Sequence, residues 1–182
     1  MTITSRELYA ELRRALGPAL QARGFEPLAS GTLAYTRPAG PGALTLWFQA
    51  DRYGWDALWG SRFTLELQLA DEAAAGAAAI AQRARYFHLL TPEQREQVRL
   101  RNNAVTLQLP GTAAHAQVVV PDEDGEDVVV FGVVVQHQPH PAGADVWMHY
   151  GALADITAWA QFLDGALDAM VQALGAAQTA TR

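Results

Sequence analysis

The 182-residue sequence contains no cysteine, which removes disulfide frameworks, thiolate metal sites and cysteine nucleophiles together. It contains no lysine either, because all 13 basic residues are arginine. That usage, beside abundant alanine, fits the codon bias of a GC-rich genome. Wherever such an arginine is buried, its planar fork can grip a carboxylate or stack on a ring. No run approaches the roughly 18 apolar residues that a spanning helix needs. The segment Met1 to Leu8 lacks the basic start and apolar stretch of a signal peptide. A cytoplasmic protein with no membrane partner is expected. Gly-x-Ser-x-Gly and Gly-Lys-Ser/Thr are missing too, so neither a nucleophile elbow nor a phosphate-cradling loop is indicated. No cofactor is expected.

What is present describes a folded chain. Half of the residues are hydrophobic, enough for a proper core in a single domain. Residues 1–175 are expected to form that domain and residues 176–182 a loose tail. The net charge of −6 is local: five of the 19 acids lie between Pro121 and Asp127, and without them 14 acids face 13 arginines.

Thr4-Ser-Arg-Glu7 is a capping box flanked by Ile3 and Leu8. Leu8, Leu12, Leu16 and Leu20 then recur at helical spacing. Gly17-Pro18 predicts a kink or two abutting segments, and Gly24-Phe25 a left-handed helix end. A short strand is expected over Thr32 to Arg37, followed by a turn over Pro38 to Gly42. Leu44, Leu46, Phe48 and Ala50 alternate with polar neighbours, as do Phe63, Leu65, Leu67 and Leu69. Such period-two patterning predicts an antiparallel pair of half-buried strands. Asp71 predicts the cap of an alanine-rich helix running to about Phe87. Thr91-Pro92-Glu93 opens another, to about Leu107. Strands are expected over Gln117 to Val120, Val128 to Gln136 and Val146 to Tyr150, and a last helix over Leu153 to Leu174. The fold class predicted is α+β, an antiparallel β-sheet with helices packed mainly on one face.

The helix ending at Gly24-Phe25, the strand closing on Tyr35-Thr-Arg37, the Phe48-Gln49 strand before a polar-aromatic loop and the later Phe63-Thr-Leu65 strand form a recognisable order. It resembles the bacterial domain-of-unknown-function 4304 family over about the first 110 residues. The resemblance implies a fold of that kind and carries no activity. Two departures from it are the tryptophan-rich loop and the valine-rich C-terminal third.

Candidate chemistry is sparse. His137-Gln-Pro-His140 places two imidazoles three apart, with Asp145 and His149 as nearest further ligands. Pro139 and Pro141 hold that segment extended and splay the rings, so no metal is expected. The acidic turn places glycine fourth from Asp122, whereas a calcium loop needs it sixth. These acids are expected to keep a hydrophobic hairpin soluble. Asp155, Asp164 and Asp168 are read as a solvated helix face. Arg95, Arg99 and Arg101-Asn102-Asn103 form a polar helix face, but the acidic balance argues against nucleic acid as partner.

The distinctive stretch is the insert Asp51 to Arg62, far longer than the two to five residues of a usual hairpin loop. Arg52, Tyr53, Trp55, Asp56, Trp59 and Arg62 are the residue types that dominate recognition hot spots. They are the candidate binding residues, for a protein partner or a small flat ligand. Equally open is a structural lid, with the tryptophans folded onto the sheet and an aspartate paired to Arg52 or Arg62. The functional expectation is a non-enzymatic binding or accessory module using this loop. The alternative is a small hydrolase or transferase with an Arg/His-lined pocket beneath it, and no catalytic residue is assigned.

Overall fold

A computed structural model of the chain describes residues 2–29, 33–55, 57, 60–71, 79–109, 115–121, 127–133 and 147–179. Helix α1 (Ser5–Ala22) starts on the expected capping box: the Thr4 hydroxyl accepts from the Glu7 amide at 3.2 Å, and the Glu7 carboxylate accepts from the Thr4 amide at 2.8 Å. It runs through Gly17-Pro18 as one helix, not two segments. Proline there forfeits a single backbone bond, and Leu16 and Leu20 stay buried on either side. The end is a Schellman motif, with the Phe25 amide donating to the Leu20 carbonyl and the Gly24 amide to that of Gln21.

Strands β1 (Glu26–Pro27), β2 (Leu33–Ala39), β3 (Gly42–Ala50), β4 (Ser61–Asp71) and β5 (Ala79–Arg85) pair in sequence order, all antiparallel. The β2–β3 turn is tighter than expected. Only Gly40 and Pro41 connect the strands, and Gly40 adopts φ +59°. Proline fixes a negative φ next to it, giving the signs of a type II′ hairpin turn.

Strand β5 corrects the sequence reading. In place of an alanine-rich helix from Asp71 to Phe87, β4 continues through Asp71, and Ala79–Arg85 form a strand. Residues 72–78 lie outside the described set. Helix propensity lost to tertiary context: β4 offers an unpaired edge from Glu66 to Asp71, and β5 satisfies it with Ala84 opposite Leu67 and Arg85 opposite Glu66. A bulge at Ala81 adjusts the register, because Leu69 faces Gln82 while Ala70 faces Ile80.

Helices α2 (Tyr86–Leu89) and α3 (Pro92–Gln108) follow. Strands β6 (His115–Pro121) and β7 (Asp127–Val133) pair with each other in a separate two-stranded ladder. Residues 134–136 of the expected strand, and His137, His140 and Asp145, lie outside the described residues, as do residues 122–126 of the acidic turn. Strand β8 (Met148–Tyr150) joins the free edge of β4 at Ser61 to Phe63, beyond the reach of β5. Helix α4 (Leu153–Thr179) extends past the expected Leu174, since nothing between Gly175 and Thr179 breaks it.

Pleating divides the large sheet. Leu44, Leu46, Phe48, Phe63, Leu65 and Leu67 share one face and are buried with Leu8, Leu12, Leu16 and Leu20 of α1 and Ile156, Trp159, Leu163, Leu167 and Met170 of α4. The α+β fold with helices on one face is therefore observed. Arg23, capping the end of α1, ties the two helices, its guanidinium 2.7 Å from Asp164 and 3.2 Å from Asp168. These aspartates are thus ion-pair partners as well as a solvated face. Asp155 instead caps α4, accepting from the Gly151 and Ala152 amides at 2.8 Å. Among the described residues, no helix is long and apolar enough to cross a membrane.

Candidate functional site

The second face of the sheet is polar. Across β3, β4 and β5 it presents Thr45, Trp47 and Gln49, then Arg62, Thr64, Glu66 and Gln68, then Arg83 and Arg85. Glu66 is buried there, yet it is satisfied: Arg83 approaches its carboxylate at 2.6 Å and the Gln68 amide donates to it at 2.6 Å. Two guanidiniums, those of Arg62 and Arg85, lie over the Trp147 ring at 5.3 and 5.5 Å from its centroid.

At the end of this face the loop begins. The Asp51 amide donates to the Arg62 carbonyl at 2.9 Å, continuing the β3–β4 ladder by one residue. Asp51, Arg62 and His149 therefore form a row across three strands. Arg62 Nε donates to Asp51 Oδ2 at 2.5 Å. The Tyr53 amide donates to Asp51 Oδ1 at 3.1 Å, and the Gly54 amide to the Asp51 carbonyl at 3.2 Å, closing an Asx turn. Burial would raise the Asp51 carboxyl, but the Tyr53 N–H and the Arg62 guanidinium outweigh it and hold the group below its usual range. Asp51 is a fixed anion that shapes the loop.

The backbone of His149 is clamped from outside the sheet. Its amide donates to Asn102 Oδ1 at 2.8 Å, and its carbonyl accepts from Trp159 Nε1 at 2.7 Å. Asn102 Nδ2 also donates to the Trp147 carbonyl at 2.7 Å. The buried Asn102 of α3 thus completes the outer edge of β8 as a strand would. On the other side, Gly60 adopts φ +65°, and a Cβ there would collide with the Tyr150 carbonyl. Only glycine lets the loop return this close to β8.

These constraints enclose a cleft of about 290 Å³, lined by Asp51, Tyr53, Gly54, Gly60, Ser61, Arg62 and His149. The six candidate residues distribute unevenly around it. Arg62 and Tyr53 line the cleft. Tyr53 is 77% exposed, and Arg52 lies on its ring at 4.7 Å while donating to its hydroxyl at 2.5 Å. Trp55 turns inward and packs against the core, where its indole N–H has no hydrogen-bond partner among the described residues. Asp56 and Trp59 lie outside the described residues.

Sequence reasoning missed Ser61 and the two glycines, and it named His149 only as a further metal ligand beside His137 and His140. No local signal joins His149 to Arg62, because their pairing is made by a short strand 87 positions downstream. Among the described residues, no group of three or more metal-binding side chains converges. Comparisons with family models, with curated proteins and with solved structures return no match to this chain.

Proposed function

We propose that the protein is a non-enzymatic binding module whose recognition surface is the tip of the 51–62 loop together with the cleft beneath it. The observation that carries this reading is Tyr53, a large ring left 77% exposed and held in place by Arg52 at the mouth of a cavity. Tyrosine and arginine bury large areas at low entropy cost when a partner arrives. The rigid Asx turn below them means that little order remains to be created on binding.

The cleft also contains Arg62 and His149, as a hydrolase or transferase of the Arg/His type would require. Pleat parity weighs against that chemistry. Ser61 is paired with Tyr150, whereas Arg62 is paired with His149, so the two positions address opposite faces of β4. Ser61 is only 8% exposed, and Asp51 is engaged by Arg62 and the Tyr53 amide. No nucleophile, base and orienting carboxylate stand in sequence among the described residues.

Photo-crosslinking tests the reading. A benzophenone amino acid replaces Tyr53 in one preparation and the exposed Leu107 of α3 in another, each is irradiated in cells, and adducts are resolved by intact mass. A discrete adduct at position 53 and none at 107 is expected. Equal labelling at both, or none at 53, would overturn the proposal.

A further inference from the structure

The charge balance of the cleft points to a ligand class, and this inference rests on the binding-module reading above. In the cleft wall Asp51 contributes one negative charge and Arg62 one positive charge, and Arg52, lying on the Tyr53 ring, adds a second positive charge beside it. Among the described residues of the loop and cleft, the excess is cationic. Arg62 spends only its Nε on Asp51, and among the described residues its two terminal amino groups have no acceptor. Its side chain is 42% exposed, against 12% for Asp51. The anion is therefore the more covered partner, and the guanidinium is the more accessible one in the cleft wall. The Trp147 ring, 5.3 Å from the guanidinium carbon, and the Asp51 carboxylate hold Arg62 from two sides, and a held guanidinium fork suits two-point recognition of a carboxylate. Beside it stands the Tyr53 ring, with the glycines Gly54 and Gly60 leaving the rest of the wall low.

We infer that the cleft binds a small aromatic carboxylate, its carboxylate on the terminal amino groups of Arg62 and its ring against Tyr53. A ligand of this kind fits the available volume, meets the Arg62 donors and uses the one large ring left mostly uncovered among the described residues.

The test is a ¹H–¹⁵N NMR titration of the full chain with benzoate and, in parallel, with neutral benzamide of nearly equal shape. Benzoate should give saturable shifts at the amides of Tyr53, Gly54, Gly60, Arg62 and His149, with affinity of about millimolar or better for so small a probe. Benzamide should bind at least about tenfold more weakly, the loss expected when a charge-assisted pair is removed. Arg62→Lys should weaken benzoate while preserving the spectrum, because a point charge replaces the fork. Should Arg62→Lys misfold, raising salt on the unaltered protein must weaken benzoate and spare benzamide. Equal binding of the two probes, or no response in the cleft, would overturn the inference. If a crosslinked adduct still forms at position 53, that failure is confined to the ligand class and leaves the binding module standing.

Discussion

The two faces of the large sheet are built from the same strands and obey different rules. On the helix side, Leu46, Phe48, Phe63 and Leu67 are fully buried in a continuous apolar core. On the opposite side, Arg83 pairs with Glu66, and the guanidiniums of Arg62 and Arg85 lie over the Trp147 ring. Apolar burial is non-directional and tolerates small shifts. The polar face depends on direction, since each donor must meet its acceptor. One face supplies stability, and the other supplies geometry at the end where Asp51, Arg62 and His149 align.

The largest expected effect lies on the apolar face. Leu67→Ala removes a side chain buried beside Leu46 and Ala84, and should cost about 2–5 kcal/mol in denaturant unfolding. An effect below about 1 kcal/mol would show that this face is not close-packed. Trp55→Ala comes next. Because Trp55 packs only partly against the core, a loss of roughly 2–3 kcal/mol is expected, below the full value for a buried aromatic. Trp55→Phe should recover most of it, since the indole N–H it deletes has no partner among the described residues.

How much of this was legible in the sequence follows from the range of the interactions. Leu44 to Ala50 and Phe63 to Leu69 revealed their strands because alternation is local, and Thr4 to Glu7 revealed a helix start because a capping box spans four residues. The stretch Ala79–Arg85 misled, since its alanines favour a helix while the unpaired edge of β4 favours a strand, and that edge is invisible locally. The loop announced itself through its aromatic content. That Tyr53 turns out while Trp55 turns in depends on the Asx turn at Asp51, whose Arg62 partner sits 11 residues away.

A smaller effect should appear on acidification. The Arg14 guanidinium, with help from the Thr157 hydroxyl and against the opposing effect of burial, holds the Glu11 carboxyl at about 2, below its ordinary 4.5. Glu11 thereby links α1 to α4. A carboxyl depressed in the folded state stabilises fully above its unfolded value, and that contribution fades as the pH falls through the folded one. The unfolding midpoint of the parent protein should therefore decline from about pH 4.5 towards pH 2 more steeply than that of Glu11→Gln. Identical profiles would show that the contact contributes nothing.

The smallest effect on stability is expected at the loop tip, and there the separation of the two faces is most exposed to test. Arg52 and Tyr53 touch each other at the surface, so the double variant Arg52→Ala/Tyr53→Ala should unfold within about 0.5 kcal/mol of the parent. Equilibrium urea denaturation of that variant beside the parent is the direct measurement. Coincident transitions would leave the tip free for recognition, whereas a loss above about 2 kcal/mol would make it a structural part of the fold and contradict the account.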